Sequence, residues 1–111
     1  DLLIQLLAEE FQPEKVIFVI DEDGLYSANP KTNKNATFFE NTTVKDLEKL
    51  TTSLDAHADV TAGMKGKIHT IKQIAKTGAD TILLNGNIHN RLFDTLKGKK
   101  VKSTIVYGDK I

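Results

Sequence analysis

Val16-Ile17-Phe18-Val19-Ile20 is an unbroken apolar, mostly β-branched run. Such a run suits a strand buried on both faces of a parallel sheet, which needs helices packed above and below it. That requirement restricts the chain to an α/β plan, and the rest of the sequence supplies the helices. The run stops at Asp21-Glu22-Asp23-Gly24-Leu25-Tyr26-Ser27-Ala28-Asn29-Pro30, an acidic, turn-rich loop. In open α/β sheets ligands sit beyond the carboxyl ends of the strands, so this loop falls where a ligand is held.

A second segment, Asp59-Val60-Thr61-Ala62-Gly63-Met64-Lys65-Gly66-Lys67, leads into a helix whose apolar face is Met64, Ile68, Ile71 and Ile74. Thr77-Gly78 ends that helix with a glycine suited to a left-handed cap. Lys65 and Lys67 then fall in the first turn, where the helix already carries partial positive charge and a misplaced cation costs about 0.3–1 kcal/mol. A bound anion removes the conflict, and free N–H groups, glycines and a lysine make a phosphate site. The alternative is that both lysines simply face water.

The remaining elements alternate. Ala36 to Phe39 reads as a short strand, and Thr43-Val44-Lys45-Asp46 as a capping-box-like start to a helix with Val44, Leu47, Leu50 and Leu54 toward the core. Thr81 to Leu84 is a further strand, and Asn85-Gly86-Asn87 turns into a helix carrying Ile88, Leu92 and Leu96 that ends at Gly98. Ser103 to Tyr107 is predicted as a final edge strand. No repeat, low-complexity tract or linker interrupts this order.

Composition narrows the function classes. The 111 residues are 40% hydrophobic and 27% charged, with fifteen basic residues balancing fifteen acidic ones. That balance argues against broad nucleic-acid or anionic-membrane binding. Without cysteine there is neither a disulfide framework nor a thiolate metal site. No apolar run approaches the roughly 20 residues that cross a membrane, and no signal peptide is evident, so the expected compartment is the cytoplasm. Asp21 to Gly24 lacks the third spaced oxygen ligand and terminal glutamate of a calcium loop. His57, His69 and His89 show no metal-binding spacing. The Lys97, Lys99, Lys100 and Lys102 cluster lacks interleaved aromatic residues and reads as a solvated face.

Together these motifs resemble the C-terminal half of the amino acid kinase superfamily, and within it the archaeal isopentenyl phosphate kinases. The resemblance runs from the first helix to Tyr107. It is most specific at Asp59, Val60, Thr61, Gly63, Met64 and Lys67, and at Asp21, Asp23, Gly24, Leu25 and Tyr26 followed by Pro30. Ala62, Ile20 and Glu22 depart from the family pattern.

The resemblance implies a three-layer αβα sandwich of the amino acid kinase type, with a mainly parallel sheet. Residues 1–111 would form its C-terminal nucleotide-binding portion. It implies ATP and magnesium (Mg2+) as cofactors, and phosphorylation of a small phosphomonoester, isopentenyl phosphate, in isoprene biosynthesis. A uridylate-kinase-like enzyme and a non-catalytic nucleotide-binding module stand as alternatives. By the same resemblance Lys67 would contact the β/γ-phosphates as the catalytic residue, with Gly63 and Met64 lining that end. Asp21, Asp23, Gly24, Leu25, Tyr26, Asn29 and Pro30 would hold the adenosine, Gly86 would wall the crevice, and Asp1 would touch the acceptor. No dedicated protein metal ligands are expected, and the full-length protein would be a homodimer.

Asp1 is followed at once by Leu2, Leu3, Ile4, Leu6 and Leu7, an apolar helix face with no lead-in. The expectation is a chain cut from a longer one, lacking the acceptor-binding half, inactive alone and exposing part of that face.

Overall fold

The computed structural model describes residues 2–27, 30–53 and 65–109. Helix α1 (Leu2–Phe11) is followed by strand β1 (Lys15–Ile20), the two-residue strands β2 (Leu25–Tyr26) and β3 (Phe38–Phe39), and β4 (Asn41–Thr43). Helices α2 (Val44–Ser53) and α3 (Lys65–Ala75) lead to β5 (Asp80–Asn85), α4 (Arg91–Leu96) and β6 (Thr104–Tyr107). Four strands form one sheet in the order β1-β5-β6-β4, while β2 and β3 pair as a separate small hairpin.

Within the four-stranded sheet β1 runs parallel to β5 and β4 parallel to β6, and only β5 and β6 are antiparallel. This is the expected mixed α/β architecture with a mainly parallel sheet. Side chains alternate across a strand, so Val16 and Phe18 of β1, Leu83 of β5 and Val106 of β6 share one face. Ala8 of α1, Leu47 of α2 and Ile71 and Ile74 of α3 join them in one buried cluster. Burying such a side chain contributes about 1.5–3 kcal/mol, so α3, with Ile71 and Ile74 fully buried, is a principal anchor of the fold.

Local chemistry sets the element ends. Gln12 takes a left-handed conformation (φ 48°) and Pro13 follows, which stops α1. Thr43 Oγ1 accepts the Asp46 N–H at 3.2 Å, as the predicted cap requires. Gly78 closes α3 at φ 92°. At the end of α4, Gly98 (φ 81°) donates to the Thr95 carbonyl and Lys99 to that of Asp94, a Schellman motif.

Three expectations need correction. Strand β1 is not buried on both faces: among the described residues it pairs only with β5, and Val19 is 51% exposed. The last strand is not an edge: β6 lies between β5 and β4, and its Thr104 and Val106 are buried. The fourth helix starts at Arg91 and does not include Ile88, which was expected on it. Asn85 Oδ1 accepts the Asn87 N–H and Ile88 O the Arg91 N–H, so turns consume that backbone, and Ile88, Leu92 and Leu96 stay exposed.

Leu2, Leu3, Leu6, Leu7 and Phe11 of α1 also remain exposed. Among the described residues no helix is long and apolar enough to cross a membrane.

Candidate functional site

Ile20 and Asn85 are register partners, so β1 and β5 end side by side. The Gly86 N–H donates to Ile20 O at 2.8 Å and extends the ladder by one bond. The loops leaving both strands therefore start from one rim of the sheet. Helix α3 turns tightly into β5 and must run back along the sheet, which brings its first turn toward the same rim. Lys67 confirms this: its ammonium lies 5.8 Å from the centroid of the Phe18 ring on β1. Ammonium over an aromatic face gains about 0.5–1 kcal/mol where water still reaches it.

Two carboxylates in the acidic loop behave differently. Asp21 is exposed, and its Oδ2 accepts from Lys31 Nζ at 3.0 Å, a hydrogen bond that holds the Asp21 carboxyl below its ordinary pKa. Asp23 points into the protein. Its Oδ1 accepts from Arg91 Nη1 at 2.5 Å and from Asn85 Nδ2 at 3.4 Å, while Oδ2 lies 3.5 Å from Lys102 Nζ. Burial pushes the Asp23 carboxyl up, but the Arg91 hydrogen bond and charge, with Asn85 and Lys102, outweigh it and leave its pKa lowered. For Tyr26, burial is the largest influence and raises the phenol.

Two glycines of the predicted site, Gly24 and Gly86, have packing reasons of their own. A Cβ on Gly24 would lie 2.2 Å from Thr104 Oγ1, and one on Gly86 2.3 Å from Val19 Cγ1. Thr104 is the anchor beneath the loop, accepting the Leu25 N–H at 2.8 Å and donating to Phe39 O. Leu25 is buried in the core cluster, and Tyr26 packs against Phe38 with ring centroids 5.1 Å apart.

The structure thus gathers Asp21, Asp23, Gly24, Leu25, Tyr26 and Gly86 at one rim, with Lys67 beside β1. Pro30 sits at the far end of the acidic loop, next to Lys31. Asp1, Asn29, Gly63 and Met64 lie outside the described residues. Sequence reasoning missed Arg91 and Thr104, and its reading of Lys102 as part of a solvated face needs correction, since that ammonium reaches Asp23 and the Phe38 ring. Arg91 had one visible signal, as the only arginine in the chain. A groove of about 410 Å³ opens between Phe38, Glu40, Lys100, Val101, Lys102 and Ser103. None of these belongs to the predicted nucleotide set. Among the described residues no three acidic or histidine side chains converge on a metal position.

The sequence profile of the amino acid kinase family matches residues 1–85. The chain is 33% identical to the isopentenyl phosphate kinase of Methanothermobacter thermautotrophicus over 109 residues, covering 97% of this chain and 40% of that protein. It is 34% identical to the molybdenum storage protein subunit beta of Azotobacter vinelandii over 100 residues, 90% of this chain and 34% of that one. A solved isopentenyl phosphate kinase superimposes with a TM-score of 0.72 at 28% identity, covering 94% of this chain and 35% of that structure. The chain thus spans two fifths or less of the length of these relatives.

Proposed function

The chain belongs to the amino acid kinase family, and from that premise we propose that its protein transfers the γ-phosphoryl group of ATP to isopentenyl phosphate, giving isopentenyl diphosphate. In this reading the chain supplies the nucleotide side of the site. The observation that carries it is the shared rim of β1 and β5, with an acidic loop on one side and Lys67 in the first turn of α3. Phosphoryl transfer asks a protein chiefly for positioning and charge neutralisation, which these residues provide.

Lys67 meets the β/γ-phosphates from its station over Phe18 and offsets charge as the phosphoryl group moves. Asp21, whose partner Lys31 is itself exposed, exchanges that ion pair for hydrogen bonds to the nucleoside. By the family resemblance Gly63 and Met64 would serve the phosphate end, Asn29 and Pro30 the adenosine, and Asp1 the acceptor. Magnesium arriving with ATP would supply further neutralisation of the phosphate charge beside Lys67. The likeness to isopentenyl phosphate kinases supports the acceptor.

Lys67→Ala in the protein carrying this chain is expected to lower kcat about 10²- to 10³-fold, the range seen when one transition-state charge donor is lost. Stopped and steady-state assays with isopentenyl phosphate, and separately with uridylate, check both the role and the acceptor. Turnover of uridylate alone would overturn the acceptor and leave the donor site standing.

A second reading, a nucleotide-binding module without catalysis, is favoured by the comparable identity to a storage protein. Mg·ATP binding by calorimetry with no transfer to any acceptor would select it.

A further inference from the structure

The half-buried end of the acidic loop is built differently from its exposed end. Three donors reach the Asp23 carboxylate from three separate places: Asn85 at the end of β5, Arg91 at the start of α4, and Lys102 just before β6. The side chains of Asp23 and Arg91 are 24% and 15% exposed, whereas Asp21 and its partner Lys31 are 70% and 62% exposed. Immediately after Asp23, Gly24 abuts Thr104 and Leu25 hydrogen-bonds to it. The carboxylate oxygens of Asp23 point at the protein's own cations, and its neighbour Asp21 is the one turned to solvent. A charge-assisted hydrogen bond to a shielded guanidinium is far harder to exchange for a ligand than an exposed lysine pair.

We propose that Asp23 is a positioning residue that contacts no nucleotide. With Arg91 and Lys102 it staples the loop bearing Asp21 across the ends of β1 and β5. This reading rests on the proposed nucleotide site and reassigns one of its residues. It also gives the lone arginine a role: its fork sets the loop's angle, which a lysine's point charge does not.

The test uses the protein carrying this chain with Asp23→Asn, Arg91→Met, Lys102→Met and the Asp23→Asn/Arg91→Met double variant. Without nucleotide, amide exchange across residues 21–27 is expected to quicken in each single variant and no further in the double, since residues acting as one unit are non-additive. With nucleotide, KM for Mg·ATP rises about tenfold in Asp23→Asn and Arg91→Met alike while kcat stays within about threefold, the pattern of lost ground-state binding. If Asp23→Asn raises KM while Arg91→Met matches wild type in both measurements, Asp23 touches nucleotide directly and the proposal fails. Should Asp23→Asn not fold, Arg91→Met and Lys102→Met decide by the same readouts. If the wild-type protein binds no Mg·ATP, the nucleotide reading is lost. Unchanged exchange in all variants would overturn the staple independently.

Discussion

Strands β1 and β5 are two similar apolar runs that pair in register along their whole length, yet they live in different surroundings. Leu83 and Leu84 of β5 are fully buried, because β5 has a strand on each side. On β1 only Val16 and Phe18 are buried, and Val19, opposite Leu84, is half exposed. An apolar run therefore reports that a strand exists. Its neighbours decide how much water it loses, and hence how much stability each side chain contributes.

The largest way to test that contrast is Leu83→Ala, expected to cost about 2–5 kcal/mol, since a fully buried leucine leaves a cavity that its tight surroundings only partly fill. Chemical denaturation reads the loss directly. An equal loss from Val19→Ala would break the comparison.

Where the two strands end, Gly86→Ala is expected to cost about 1–3 kcal/mol, because the new Cβ would sit 2.3 Å from Val19 Cγ1. The exposed position of Val19 offers a remedy. In a Val19→Ala background much of the loss should return, which a double-mutant cycle in thermal unfolding would show.

Next in size is the buried hydroxyl of Thr81 on β5, which makes no hydrogen bond among the described residues. Thr81→Val is expected to gain about 1 kcal/mol by replacing an unpaired polar group with an isosteric methyl. The reverse change on β1, Val19→Thr, should stay within about 0.5 kcal/mol, as surface changes do.

The smallest effect is the pH response of the loop joining the rim. Asp23 has a lowered folded-state pKa, so its contribution is present above the ordinary carboxylate value of about 3.9. It is lost as pH falls through the folded value. Loop exchange followed by mass spectrometry should accelerate in that acid window, and Asp23→Asn should flatten the response.

Much of the fold was legible because it rests on local rules. Thr43 caps α2, Gly78 and Gly98 end helices in left-handed conformations, and the apolar spacing of Ile68, Ile71 and Ile74 marks the buried face of α3. Gly24 and Gly86 were recognisable as special, but their reason was not: each makes room for a side chain distant in sequence. Arg91 escaped notice and Lys102 was read only as part of a solvated face, because they sit 68 and 79 positions from Asp23 and share no motif with it.

The sequence by itself determined most element types though not the short strands β2 and β4, most helix ends, the family and the acidic segment that follows β1, since each depends on residues within a few positions of one another. Only the tertiary structure decided that β6 lies inside the sheet, that β1 keeps one face half open, and that Asp23 turns inward while Asp21 turns out. Those outcomes depend on which strands pair and which charges meet across long separations. Pairing and ion-pair geometry are properties of the folded surroundings, and they leave no periodicity in the chain for a local reading to find.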